Sequence, residues 1–205
     1  EIIKEGNPVV AEGKVAQKQL DRRAEIVSAA QACFAAKGLH GASVADIARE
    51  AGLSVGQLYR IFASKEEIIE AIVSEIVHAR VEEMIRGNHD LERMALMLAG
   101  VMPPSAATIT DSYLLMEINA EASRNPRLRE ILQQADRRLK EEGGRLTRHS
   151  HPEMSAAQID AATELIAILT EGAAYRRELT TAAEANKPAM AAIYRDLFQL
   201  LFDKK

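Results

Sequence analysis

Gln57 and Arg60 lie three residues apart in the segment SVGQLYR, which also holds Ser54, Val55, Gly56 and Tyr59. Side chains of these types at this spacing suit the edges of DNA bases. A glutamine amide carries a donor and an acceptor that match the N6 and N7 edge of adenine, and a guanidinium pairs with guanine O6 and N7 or with a phosphate. Val55 can pack on a thymine methyl, and Gly56 lets the backbone come close. At about 100° per residue on a helix, Leu58 marks the buried side, flanked by Ile61 and Phe62. Gly56 and Arg60 then point nearly opposite, with Gln57 and Tyr59 to either side. A helix of this width fits the major groove.

Such a helix needs a second one to hold it, and the sequence supplies it immediately upstream. Val44, Ile47, Ala48 and Ala51 recur at helical spacing, and so do Leu58, Ile61 and Phe62. Gly52 ends the first helix, where a left-handed conformation costs glycine nothing. Ser54 restarts the chain as an N-cap, with Gln57 three residues on to complete a capping box. Ser43 with Asp46 and Ser64 with Glu67 repeat the pattern. Three helix starts between Ser43 and Lys65, parted by one tight turn, describe a helix-turn-helix.

The remainder of the 205 residues predicts an all-α protein of about nine helices: a helix-turn-helix head followed by a helical ligand-binding and dimerisation body. The composition is 47% apolar with 4% aromatic residues and no Trp, and Ala, Leu, Ile, Met, Glu, Arg and Gln favour helix. The division expected is a flexible arm at 1–13, the DNA-binding domain at 14–70 and the body at 71–205. A first long helix from Lys14 to Lys37 is stopped by Gly38. A second, Glu66 to about Arg86, starts in the head and is too long to end there. Further helices are expected over Leu91–Val101, from Ser105 to about Arg124, and from Asn125-Pro126 to about Glu142. Gly143-Gly144 weakens the end of that last helix, so Arg145 to Pro152 reads as an irregular linker. Two more helices follow, from Ser155 to about Leu179 and from Pro188 onward.

Charge divides along the same line. Residues 1–65 carry nine Lys and Arg against seven Asp and Glu, whereas the whole chain has a net charge of −4. A mildly basic head on an acidic body suits a DNA-reading module. Lys14, Lys18, Arg22 and Arg23 lie outside the apolar stripe of the first helix, and serve either phosphate contacts or a solvated face. Cys33 lies in that stripe as a small core residue, and a lone cysteine fits a reducing cytosol. No apolar run reaches the ~20 residues of a membrane span and no signal-peptide pattern is present, so the expected location is cytoplasmic.

Residues 20–73, above all ASVADIAREAGLSVGQLYRIFASKEEIIEAIV, resemble the N-terminal DNA-binding domain of the tetracycline-repressor (TetR) family. The run Gly56-x-Leu58-Tyr59-x-x-Phe62-x-Ser64-Lys65-Glu66 is similar to that family's signature, with every turn and cap in register. Beyond it the likeness is one of architecture. The resemblance implies phosphate contacts from Ser43, Tyr59 and Lys65, operator-dependent positions at 54–57 and 60, a homodimer, and repression relieved by a small molecule. On the residues alone, Ser43 and Ser54 are caps in any case, and Tyr59 can be a packing residue with a wet hydroxyl.

The body supplies two further expectations. Ile159, Ala162, Ile166, Leu169 and Ala173 form one apolar stripe, and Met190, Ile193, Leu197 and Leu200 another; paired across a two-fold axis they would make a four-helix interface. The alternative is that they close the monomer's own core. Five of the seven methionines (Met84, Met94, Met97, Met102 and Met116) fall in one span, and flexible thioethers suit an adaptable apolar cavity. Tyr113, Glu117 and Asn119 on one helix, and Thr170, Glu171, Tyr175 and Arg176 on another, interrupt apolar faces and are candidate effector contacts beside those methionines; His78 and His89 lie nearby in sequence. No cofactor or metal is expected. The sequence has no HExxH, phosphate loop, nucleophile elbow or paired cysteines, and His149-x-His151 lacks a third ligand. The rival to an effector-responsive regulator is a DNA-binding protein that takes no small molecule.

Overall fold

The computed structural model describes residues 8–87, 90–102, 105–179 and 186–202, which form nine helices and no strand. They are α1 (Pro8–Gly41), α2 (Val44–Glu50), α3 (Val55–Tyr59), α4 (Lys65–Gly87), α5 (Leu91–Leu98), α6 (Ala106–Ala122), α7 (Pro126–Ser150), α8 (Ala156–Leu179) and α9 (Lys187–Phe202). The chain divides into two compact units, at 1–72 and 73–205, with the boundary inside α4. The head therefore takes two more residues of α4 than the 14–70 expected.

In the head, Ile26, Val27, Ala30 and Phe34 of α1, Ile47 and Ala48 of α2, Leu58 of α3 and Phe62 are all buried, with α1 packed on α2 and α2 on α3. Ile68, Ile69 and Ile72 close the unit from α4. Fully burying an aliphatic or aromatic side chain of this size contributes about 1.5–3 kcal/mol, so a small unit with this many buried side chains holds its helices in place. α1 breaks at Gly38, where φ is 72° and ψ 169°, and residues 39–42 bridge to the next helix. Burial pushes the Cys33 thiol above its ordinary value, with the charges of Glu50 and Asp46 adding to the shift. A buried, protonated thiol is a core residue, not a nucleophile.

The arm expected at 1–13 is not irregular throughout: α1 starts at Pro8, with proline at a first-turn position where its missing N–H costs nothing. Residues 1–7 lie outside the described residues, as do Asn88, His89, Pro103 and Pro104. The helix expected to run to Val101 ends at Leu98. Gly100 takes φ 72°, its N–H bonds the Met97 carbonyl, and the Val101 N–H bonds that of Leu96. This is the two-bond C-terminal motif that a left-handed glycine makes possible.

The body departs from expectation most in α7, which runs straight through the predicted linker to Ser150. A Cβ on Gly143 would lie 3.3 Å from Thr163 Cγ2 on α8 and 3.3 Å from Met84 Cε, and one on Gly144 would lie 3.6 Å from Ile159 Cγ2. Glycine costs a helix about 1 kcal/mol; here it permits the close α7–α8 crossing that buries Gly144 and Thr147. Elsewhere in the body, Ala95 of α5, Ala162 of α8 and Phe198 and Phe202 of α9 form a core cluster, with Met94, Ile166 and Leu169 packed against it. Ile118, Leu128 and Ile131 fill the space between α6 and α7.

Candidate nucleic-acid interface

Two capping boxes and one glycine turn set the geometry of the reading helices. Ser43 Oγ accepts from the Asp46 N–H at 3.1 Å and the Ser43 N–H donates back to Asp46 Oδ2 at 3.0 Å, which fixes the start of α2. At its end, Gly52 takes φ 65°, its N–H bonds the Arg49 carbonyl at 3.1 Å, and the Leu53 N–H bonds that of Ala48 at 2.8 Å. The chain then turns into Ser54, whose Oγ accepts from the Gln57 N–H at 3.2 Å, while its own N–H donates to Gln57 Oε1 at 2.9 Å. The third pair differs in detail. Ser64 Oγ caps the Glu67 N–H, but the Glu67 carboxylate reaches back one residue further, to the Ala63 N–H at 2.8 Å.

The face this presents is open. Leu58 is fully buried, whereas Val55, Gly56, Gln57, Tyr59 and Arg60 are exposed, as are Ser43 and Ser54. Nothing lies within 4 Å of where a Cβ on Gly56 would sit, so the packing of the head does not require glycine there. The α-helix itself ends at Tyr59; Arg60 is its C-cap and Ile61 and Phe62 continue as turns bonded to Leu58. Arg60 therefore projects from the end of the reading helix.

Three expected roles change once partners are visible. Gln57 Oε1 accepts from both the N–H and the hydroxyl of Ser54, so the side chain has its NH2 left to offer and cannot give adenine an acceptor without opening the box. Ser43 gives its hydroxyl hydrogen to Asp46 Oδ2 at 2.6 Å, so as a phosphate donor it would have to leave that carboxylate. Lys65 is half-buried; its Nζ donates to the carbonyl of Leu39 and, at 2.8 Å, to that of Ala42. Burial holds its amine below the ordinary lysine value. Val55, Gly56, Tyr59 and Arg60 keep their outward placement.

Sequence reasoning missed the charges around Asp46. Lys37 Nζ bonds Asp46 Oδ1 at 2.8 Å, and Arg49 Nη1 lies 3.3 Å from the same oxygen. The Lys37 hydrogen bond, then those from Ser43, hold the Asp46 carboxyl well below the usual carboxylate range. The carboxylate at the head of α2 thus has two cations against it. The Asp46/Arg49 pair was legible as an i, i+3 spacing; Lys37 is nine residues from Asp46, and only the Gly38 break brings it there.

The body residues do not gather as expected. Met94 packs against the α5–α8–α9 core, Met97 and Met116 are half-buried, and Tyr113, Glu117, Thr170 and Tyr175 are exposed. The Thr170 hydroxyl donates to its own helix, at Ile166 O. A pocket of about 170 Å³ is lined by Glu83, Arg86, Gly87 and Arg93, none of them an expected effector contact. Half-buried Arg80 on α4 feels the charges of Asp111 on α6, Glu171 on α8 and Glu83. Burial lowers the Arg80 guanidinium and raises Asp111, while Glu75 is raised by burial and then by Asp111.

The two apolar stripes also divide. Ile159 and Ala162 are buried in the body's own core, and Ile166 and Leu169 pack on it half-buried. Ala173 and Leu197 are half-buried, while Ile193 and Leu200 are exposed at 58% and 76%. Ile168 at 57% and Tyr175 at 55% form the exposed row of α8, one heptad apart, with open Gly172 between them. The outward face of α8 is thus rotated from the one expected. His149 and His151 belong to the end of α7, not to a loop: the His151 ring stacks on Phe202 at 4.8 Å. Among the described residues, no group of three or more His, Cys, Asp or Glu could hold a metal ion, and no helix is long and apolar enough to cross a membrane.

Residues 26–72 match the sequence profile of the family described as bacterial regulatory proteins, tetR family. The HTH-type transcriptional regulator UidR of Escherichia coli strain K12 is 34% identical over 113 residues, which are 54% of this chain and 56% of UidR. The chain so spans a little over half the length of that relative. The HTH-type transcriptional repressor KstR2 of Mycobacterium tuberculosis is 43% identical over 60 residues, 29% of this chain and 30% of KstR2. Among solved structures, Salmonella enterica GusR superposes with a TM-score of 0.72 at 25% identity, covering 90% of this chain and 97% of GusR.

Proposed function

We propose that this chain, a TetR-family regulator by its head and its architecture, is a homodimeric transcriptional repressor that leaves a palindromic operator when a small, partly apolar effector binds its body. The observation that carries the DNA half is the outward face of α3, where Val55, Gly56, Tyr59 and Arg60 stand exposed around a fully buried Leu58. A helix held from beneath by one leucine, and capped at its start by a closed box, enters a groove without remodelling.

One short reading helix contacts too few base pairs for selectivity, so two heads are needed, related by a two-fold axis. Ile168 and Tyr175 on α8, with Ile193 and Leu200 on α9, supply exposed apolar rows on which a second copy can pack.

Support for an effector comes from half-buried Arg80 and Asp111, charged groups held in the body at a desolvation cost. A ligand with polar groups among an apolar skeleton would offset that cost. An effector that prefers a head spacing unsuited to successive major grooves weakens DNA binding, and by linkage DNA weakens effector binding by the same factor. α4 runs through both units and is the segment able to carry this coupling.

The packing of Met94 into the core favours the second reading, a repressor with no effector. A titration of operator duplex by the full chain decides between them. Compounds that raise the protein's melting temperature are added to saturation; weakened operator affinity supports the effector, and affinity constant with every such compound removes it.

A further inference from the structure

We propose that Lys65 is a positioning residue for the DNA-reading helices: its ammonium ties the start of α4 to the end of α1, and so fixes the corner from which α2 leaves, instead of holding a phosphate. This rests on the DNA-reading function proposed above.

The geometry begins with Gly38. Its left-handed φ takes the chain out of the helical ladder, so the carbonyls just beyond it need partners from elsewhere. Leu39 and Ala42 are both buried, which denies them bulk water. Lys65 Nζ donates to both, and sits 5.4 Å from the centroid of the Phe34 ring, itself buried in the same corner. An ammonium has three donors and no acceptor, so two of its three hydrogens are committed inside the protein.

Ala42 is followed directly by Ser43, the N-cap of α2, and α2 passes through the Gly52 turn into α3. A tie at Ala42 therefore sets the direction of both reading helices. It also joins them to the first residue of α4, the helix that continues into the body. Only the third hydrogen remains for a phosphate; any closer contact would draw the ammonium off the carbonyls of two buried residues, at the cost of both bonds.

Two measurements on the full-length chain test this, with operator recovered from random duplexes. In the first, the wild-type protein is treated with limiting acetic anhydride and acylation is read lysine by lysine by mass spectrometry, with exposed Lys18 as the internal standard. Lys65 is expected to be protected in the free protein, with no further protection when operator is added. Reaction as fast as Lys18, followed by protection only on DNA, would overturn the proposal. In the second, Lys65→Met is expected to bind operator more weakly at every salt concentration with the salt slope unchanged. A slope reduced by about 0.9, the loss of one phosphate contact, or an unchanged affinity, would overturn it. If Lys65→Met fails to fold, the acylation pattern decides alone. If the wild-type chain binds no duplex, the DNA-reading function is wrong, while acylation of the free protein still reports whether the tie exists.

Discussion

The Arg23 guanidinium covers the face of the Phe62 ring, with Cζ 4.0 Å from the ring centroid, and Arg23 Nη1 reaches the Ile61 carbonyl at 3.4 Å. The first helix thus clasps the chain just after the reading helix, using a cation that the sequence leaves undecided between phosphate and solvent. Arg23→Ala is expected to destabilise the head by about 0.5–1 kcal/mol, the size of a cation–π contact at an exposed site. Urea unfolding measures it, and the salt slope of duplex binding should stay at its wild-type value.

Gly56→Ala separates folding from reading. No atom lies within 4 Å of the new methyl and the backbone is helical there, so the head should be as stable as wild type or up to about 1 kcal/mol more so. Operator affinity should nonetheless fall by at least about tenfold, or ~1.4 kcal/mol, because the methyl stands where the backbone must meet the groove. Thermal unfolding and duplex titration of the same sample give the two numbers.

Leu200→Asp addresses the assembly. Leu200 is 76% exposed in the single chain, so a charge there leaves the monomer's packing alone. Sedimentation equilibrium at micromolar concentration is expected to give a dimer for the wild type and a monomer for the variant. A wild-type mass of one chain would contradict the dimer.

Acid should loosen the head through Asp46. Its folded carboxyl titrates below its unfolded value, chiefly because Lys37 donates to it and then because Ser43 does. The sign follows from proton binding: the unfolded chain takes up the proton first, so this contribution is present above the ordinary aspartate value of about 3.9 and is lost as pH falls towards the lower folded one. Unfolding free energy measured below about pH 4 is expected to decline less steeply in Asp46→Asn than in the wild type. Equal slopes would mean that Lys37 and Ser43 do not hold the carboxylate in solution.

Local patterns in the sequence carried the head well, because its determinants are local. Ser43, Ser54 and Gly52 act within four residues of themselves, and Leu58 is buried where a helical period puts it. What failed depended on distance. Gly143 and Gly144 read as a helix end until Thr163 and Ile159 of α8 are placed against them. Lys65 reads, by resemblance, as a phosphate contact until the carbonyls of Leu39 and Ala42 are placed on its ammonium. A stripe such as Ile159, Ala162 and Ile166 shows that a helix face is apolar but not whether its own chain or a second copy covers it; the structure buries Ile159 and Ala162 in their own chain, leaves Ile166 half-buried and puts Ile168 outside. Polar residues such as Tyr113 and Thr170 interrupt an apolar face equally well at a pocket wall or at the surface, and both are exposed.

Selection from random duplexes by this chain asks whether α3 reads DNA as one of a symmetric pair. Enrichment of a site whose halves are related by two-fold symmetry is expected. Arg60→Ala is expected to relax one position in each half and to cost about 1–3 kcal/mol of specific binding. A pool that stays random after repeated rounds, or binding of equal strength to every duplex, would contradict reading by a symmetric pair.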